Sequence, residues 1–371
     1  MITEEGIRIK ADLPEKDVHK KMPVFYNPLM KSNRNISIIL LNSIDNKSMD
    51  LALPLAGSGI RGLRFLKELK RGKINSLFVN DLKENFTQTF AENMTLNNFS
   101  QKESAKIKLS DQDANFFLLS QHDKDYCGYF DYIDLDPFGT PNPFLSSAVN
   151  KIKHQGILAV TATDTAALTG TYPQATKRKY WAVSQKNHLM HETGLRILIR
   201  KIQLQGIQFD KALFPVLSYH KDHYFRIYFR SERGKKKCDE IISQQQYLLY
   251  CPKCTNYQAS RYNLGKCSCG NNFLFAGPLW TGKLFDKKLL TKMSKNNQFP
   301  EEQKFLDLLA QEEDILGFYD LHVLAKKHKQ DPPRMEIILK KLKATRTHFS
   351  LSGIKSKEPL DKILKIFKKQ E

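Results

Sequence analysis

Asp136, Pro137 and Phe138, in the run Phe130-Asp131-Tyr132-Ile133-Asp134-Leu135-Asp136-Pro137-Phe138-Gly139, suit one kind of chemistry. An exocyclic amine on a nucleobase is a poor nucleophile because its lone pair is delocalised into the ring. A carboxylate at Asp136 and the backbone carbonyl of Pro137, accepting from its two N–H groups, would orient it and return electron density to nitrogen. Pro137 has no N–H of its own and fixes φ for the turn that presents these acceptors. The face of Phe138 gives a flipped-out base something to stack on. The simpler alternative is a strand that ends in an Asp-Pro turn.

Something must hold those residues in place. Tyr132, Ile133 and Leu135 read as a short buried strand stopped by Pro137 and Gly139. Upstream, Met49 to Leu55 reads as the first strand of a sheet. It runs into Ala56-Gly57-Ser58-Gly59-Ile60-Arg61-Gly62-Leu63-Arg64 and a helix from Leu63 to Leu69. Strand, glycine turn and helix make a cofactor-binding unit in which Gly57 and Gly59 let the backbone approach the ligand. Ser76 to Asn80 forms the next strand, and Asp81 closes it 22 residues after Gly59. A carboxylate at about 20 residues meets ribose hydroxyls. This spacing fits a nicotinamide cofactor as well as S-adenosylmethionine. A helix (Glu84 to Leu96) and a third strand (Ala105 to Leu109) lead to Ser110-Asp111-Gln112-Asp113-Ala114-Asn115, where a carboxylate either accepts from an adenine amine or caps a helix. Further elements are expected at 144–153 (helix), 156–164 (strand), 194–205 (helix) and 209–219 with 223–230 (an antiparallel pair). Pro54 would remove a ladder bond from a central strand, so a bulge or an early strand end is expected there. Asn33 or Asn35 is the expected cap of a helix carrying the apolar run Ile36 to Leu41.

The 371 residues carry 59 basic and 39 acidic side chains, a net charge of +20. Such an excess calls for an acidic partner, nucleic acid first. No apolar run approaches the roughly 20 residues of a membrane-spanning helix, and Met1 to Glu5 lacks a basic-then-apolar signal; a cytoplasmic protein without a membrane or an obligate protein partner is expected. Cys251, Cys254, Cys267 and Cys269 form two short knuckles around 12 residues, which fits a closed structural Zn2+ site rather than a disulfide scaffold. From residue 300 the pattern is helical, with a break at Asp331-Pro332-Pro333 and a strand after it, as in a winged helix.

Asp-Pro-Phe resembles the Asp/Asn-Pro-Pro-Tyr/Phe signature of amino-group methyltransferases. Asp-Leu-Asp-Pro-Phe-Gly is similar to the family of tRNA (guanine-26-N2)-dimethyltransferases. The same family has Tyr-Asn-Pro followed by Asn-Arg (Tyr26 to Pro28, Asn33-Arg34), Gly-Ile-Arg-Gly-Leu-Arg (59–64), Asp-Ala-Asn (113–115), Thr-Ala-Thr-Asp (161–164), Arg-Lys-Tyr (178–180) and Ala-Thr-Arg-Thr-His-Phe-Ser with Gly-Ile-Lys (344–355). The chain departs from it at Asp50-Leu51-Ala52-Leu53-Pro54, where the family has Asp-Ala-Leu-Ser-Ala.

The resemblance implies a class I, Rossmann-like α/β methyltransferase sheet using S-adenosyl-L-methionine, with a small zinc-ribbon insertion and a winged-helix-like carboxyl-terminal domain. The implied segments are an amino-terminal arm (1–48), the catalytic domain (49–234), the zinc segment (235–285) and a tRNA-binding domain (286–371). It also implies that Phe25 faces Phe138 across the base, that Arg34 clamps the methionine carboxylate with Arg61 or Arg64 adding a second cation, and that Asp113, with Ala114, meets the adenine. Lys177 to Tyr180 would contact phosphates. Two rivals share these features: an rRNA guanine-N2 or adenine-N6 methyltransferase, and a non-catalytic zinc-containing RNA-binding protein.

Overall fold

In the computed structural model, residues 1–11, 26–121, 129–262 and 265–367 are described; Phe25 lies outside them. A seven-stranded sheet organises the fold. Its strands are β1 (Met49–Leu53), β2 (Ile74–Asn80), β3 (Ile107–Ser110), β4 (Phe130–Leu135), β5 (Ile152–Ala162), β6 (Lys211–Lys221) and β7 (Tyr224–Arg233), in the order β3-β2-β1-β4-β5-β7-β6. β1 to β5 pair in parallel, with Leu51 opposite both Leu77 and Tyr132 and Leu135 opposite Val160. Parallel strands are covered on both faces, so Leu51, Leu77, Phe130, Tyr132, Ile133, Leu135 and Leu158 are all fully buried. The chain reverses strand order between β1 and β4, which puts a ligand crevice beyond their carboxyl ends.

Local boundaries differ from the sequence expectations in instructive ways. β1 ends at Leu53, directly before Pro54, which is the early end expected of a proline there. Helix α1 runs Lys31–Ser43 after a short turn capped by Asn27, so Asn33 and Asn35 lie inside it and do not cap it. Their amides are spent on distant partners: Asn33 donates to Thr161 Oγ1 and Asn35 to Glu301 and Glu302. Helix α2 spans Ile60–Glu68 and helix α3 Phe86–Leu96.

The described chain divides into two compact units that interleave in sequence: residues 1–163, 228–233 and 292–303, and residues 164–227, 234–291 and 304–371. In the second unit, Gln245–Tyr250, Tyr257–Ser260 and Leu274–Trp280 make a three-stranded antiparallel sheet. A winged-helix-like module follows, with strands Tyr319–Asp320, Thr345–Thr347 and Ser350–Lys355 and helices Leu321–His328 and Met335–Leu342. It closes on Leu321, Leu324, Ile338, Ile354, Ile363 and Phe367.

A charge network is buried in the second unit. Glu192 accepts from Arg196 Nε (2.8 Å), Gly317 N (2.9 Å) and Lys355 Nζ (3.0 Å). Glu312 accepts from Thr347 (2.7 Å) and from both the backbone and the Nδ1 of His348 (3.0 and 2.7 Å).

Candidate active site

Side chains alternate across a strand, so Tyr132, Asp134 and Asp136 share one side of β4 and its extension. The Tyr132 hydroxyl donates to Asp134 at 2.6 Å. On α2, residues three and four apart share a face, which aligns Arg61, Arg64 and Glu68. Arg61 therefore meets the strand end: Nη2 donates to Asp136 Oδ2 at 2.5 Å and Nη1 lies 3.3 Å from Asp134. The same guanidinium donates to Asn33 Oδ1 and Ser37 Oγ, each at 3.0 Å. The Asp136 side chain remains 21% exposed, and its Oδ1 accepts no hydrogen bond among the described residues.

The turn after Asp136 is fixed. Pro137 is buried, and Gly139 takes φ 75°. Gly139 N donates to Thr163 Oγ1 (2.7 Å) and its carbonyl accepts from Thr163 N (2.9 Å), latching the loop to the end of β5. Phe138 is left 49% exposed, beside the carboxylate.

The cofactor candidates fall at the neighbouring strand ends. Gly57 and Gly59 take φ of 59° and 74°, which only glycine adopts at little cost. A Cβ on Gly59 would come within 2.3 Å of the Phe90 ring, so α3 packs where a side chain would be. Asp81 Oδ2 accepts from Gly57 N at 2.6 Å and Oδ1 from Lys83 N at 3.1 Å. Burial pushes its carboxyl up, against the lowering by those two N–H groups. Asp113 Oδ1 caps the helix Ala114–Leu119, accepting from Asn115 and Phe116 N; Ala114 is buried. The glycine cradle and a carboxylate at the next strand end match the donor set a nucleoside requires.

Arg34 and Arg64 are brought together, by Glu4. Arg34 grips both Glu4 oxygens, Arg64 Nη1 donates to Glu4 Oε1 at 2.8 Å, and Arg64 also pairs with Glu68 at 2.6 Å. Burial alone would raise the Glu4 carboxyl; the two guanidinium groups outweigh it and hold it at about 2. Arg64 is fully buried. Glu4, Asn80 and Asp134 are not singled out by the sequence, while Asn33, Thr161 and Thr163 stand there only as a cap candidate and motif positions. Asn80 ties three strand ends together, donating to Pro54 O and Gln112 O and accepting from Ser110 and Gln112 N. Only Asp134 carried a readable signal, its two-residue offset from Asp136 on an apolar strand.

In the second unit, the sulfurs of Cys251, Cys254, Cys267 and Cys269 all lie within 4.8 Å of one another, with closest pairs at 3.5 and 3.4 Å. A tetrahedron of thiolates about 2.3 Å from zinc has edges of roughly 3.8 Å, so the set fits that ion. Thr255 (φ 67°) and Gly270 (φ 81°) make the two knuckle turns. Lys177, Arg178 and Lys179 lie in the last turn of the helix Pro173–Tyr180. Lys179 pairs with Asp164 at 2.8 Å. Among the described residues, no helix is long and apolar enough to cross a membrane.

Comparison with known proteins agrees with this geometry. The family described as N2,N2-dimethylguanosine tRNA methyltransferase matches residues 4–368. The tRNA (guanine(26)-N(2)/guanine(27)-N(2))-dimethyltransferase of Aquifex aeolicus is 38% identical over 98% of this chain and 95% of its own length. The tRNA (guanine(26)-N(2))-dimethyltransferase of Pyrococcus furiosus is 36% identical over 98% and 97%. A solved structure, Trm1 from Pyrococcus horikoshii with S-adenosyl-L-methionine, superposes with a TM-score of 0.81 at 34% identity, covering 94% of this chain and 95% of that one. A match that takes in the strand ends, the four cysteines and the carboxyl-terminal module alike places the chain in the N2,N2-dimethylguanosine tRNA methyltransferase family.

Proposed function

We propose that this chain methylates the exocyclic N2 amine of guanine at position 26 of tRNA, first to N2-methyl- and then to N2,N2-dimethylguanine. One observation carries the reading: a carboxylate with an open oxygen stands at the end of β4, beside a proline carbonyl and a half-exposed phenylalanine. S-adenosyl-L-methionine supplies the methyl group, already activated on a sulfonium. The protein's task is therefore alignment, which can account for much of the barrier. Asp136 Oδ1 and the Pro137 carbonyl accept the two N–H groups of the amine, and Asp136 takes a proton as the new C–N bond forms. After the first transfer the amine rotates and presents its remaining N–H.

Phe138 stacks one face of the flipped base, and Phe25, outside the described residues, the other. Gly57, Gly59 and Asp81 hold the ribose side of the cofactor, and Asp113 with Ala114 the adenine. Arg61 positions Asp136. Arg64, buried and saturated by Glu4 and Glu68, is structural in this reading. Arg34, whose Nε and Nη2 are held by Glu4 and Asn27, offers the methionine carboxylate its remaining Nη1 edge. The four cysteines hold a closed, non-catalytic zinc. The basic face at Lys177 to Tyr180 and the winged-helix-like module serve tRNA, in the cytoplasm.

Incubating tRNA transcripts carrying guanine or adenine at position 26 with labelled cofactor tests the substrate. Label enters only the guanine transcript; label in both, or only in rRNA or DNA, would defeat the choice. For the metal, elemental analysis should give one zinc per chain, lost in Cys251→Ser; a zinc-free, fully folded wild type would refute the site.

A further inference from the structure

Arg196, Arg200 and Lys201 all stand on the helix Met190–Ile207, yet they are treated differently. Arg196 has the carboxylate of Glu192 one turn away at 2.8 Å. Lys201, 6% exposed, has none among the described residues; its Nζ sits 3.0 Å from the ring centroid of Trp181. Among the described residues, Arg200 Nε is buried with no hydrogen-bond partner, and Nη1 reaches only the Trp181 carbonyl, at 3.5 Å. Burial pulls the Lys201 ammonium down to about 8 and the neighbouring Arg200 adds to this; burial lowers Arg200 as well, with only the Tyr247 hydroxyl opposing.

Taking an ion out of water is costly unless a counter-charge meets it. An aromatic face offsets part of that cost for Lys201, but its neighbour Arg200 reaches only a backbone carbonyl, so the pair of cations is under-compensated. Trp181 itself caps the helix Pro173–Tyr180 in the left-handed conformation, φ 53°, and is 52% exposed. Lys177 and Arg178 stand exposed in that helix's last turn. Among the described residues no carboxylate meets Lys201 or Arg200, and the indole beside them is half-exposed to solvent.

We propose that Lys201, Arg200 and Trp181 form a phosphodiester-binding site for the backbone of the substrate RNA, with the exposed indole packing against the adjoining nucleoside. The site deepens the tRNA-methylation reading and rests on it. It would fix the RNA by charge rather than by sequence, as phosphate contacts do.

The test is nitrocellulose binding of a tRNA transcript to the full chain over a salt series, with Lys201→Met, Arg200→Gln and Lys201→Arg beside wild type. Melting temperature and calorimetry with S-adenosylmethionine serve as fold controls. Lys201→Met and Arg200→Gln should each weaken tRNA binding about tenfold and flatten the log–log salt slope by about one. KM for tRNA should rise more than kcat falls. Lys201→Arg should retain binding, since it keeps the cation. If Lys201→Met does not fold, Arg200→Gln, whose side chain is only half-buried, carries the same expectation. Unchanged affinity and slope in folded variants overturn the site and leave the methylation reading standing. A wild type that neither binds nor methylates tRNA overturns both. Inorganic phosphate that competes beyond its ionic strength, with tRNA affinity unchanged in the variants, would show a small-anion site instead.

Discussion

Two buried charge clusters, one in each unit, use the same residue types and finish differently. Glu192, Arg196, Glu312, His348 and Lys355 form a closed set, in which each carboxylate oxygen is met by a donor and the side chains are shut away from water. Arg61, Asp134 and Asp136 begin the same way, but among the described residues the last carboxylate keeps one oxygen without a donor and 21% of its side chain exposed. A saturated cluster fixes structure. A cluster with one open acceptor, at a parallel-strand end beside an exposed ring, is placed to bind. The residue types alone do not separate the two cases; saturation and exposure do.

The comparison can be broken by substitution. Asp136→Ala should lower kcat by about a thousandfold or more, the scale of losing a positioned acceptor. Cofactor and tRNA affinities should stay within about threefold. Retained turnover would erase the distinction drawn between the clusters.

Glu312→Ala should act on folding instead. It leaves His348 and Thr347 without their acceptor, and removing one partner of a buried pair costs about 3–5 kcal/mol. Urea unfolding reads that loss, while the folded fraction should methylate normally. A change below about 1 kcal/mol would mean that the network is not structural.

Arg61→Met sits between the two. It should lower kcat about ten- to a hundredfold by releasing Asp136, with cofactor affinity by calorimetry within about threefold. Arg61→Lys should not rescue, because one ammonium cannot serve Asp134, Asp136, Asn33 and Ser37 at once. Loss of cofactor binding rather than rate would move Arg61 to the methionine carboxylate.

The last effect is on the pH dependence of stability. Burial, with help from His191, His348 and His223, holds His220 down at about 3. Below its ordinary value near 6.5 the unfolded chain takes up a proton that the folded chain refuses, so stability falls as pH drops from 6.5 toward 3. Glu4 and Glu312, both held at about 2 by their cationic partners against burial, contribute stability above pH 4.5 that is lost between 4.5 and 2. His220→Gln should flatten the upper limb by up to about 1.4 kcal/mol per pH unit and leave the lower one; an unchanged upper limb would contradict the assignment.

What the sequence revealed follows the range of the interactions. The β4 end, the Gly57–Gly59 turn, the break at Pro54 and the cysteine knuckles are written in residues a few positions apart, so periodicity and turn chemistry expose them. The start of α1 at Lys31 was hidden because Asn33 and Asn35 look like caps. Their amides go to Thr161, Glu301 and Glu302, more than 120 positions away. Glu4 was hidden for the same reason: its partners Arg34 and Arg64 meet it 30 and 60 residues later. Arg61 and Arg64 look alike in sequence, three residues apart; only the packing of α2 sends one to Asp136 and the other to Glu4 and Glu68.

The most direct test is nucleoside mass spectrometry of a guanine-26 tRNA transcript treated with purified protein and S-adenosyl-L-methionine. N2-methylguanosine should rise first and give way to N2,N2-dimethylguanosine, with neither formed by Asp136→Ala. Methylation on another atom or base, or dimethylguanosine from the alanine variant, would contradict an amine held by Asp136 and the Pro137 carbonyl.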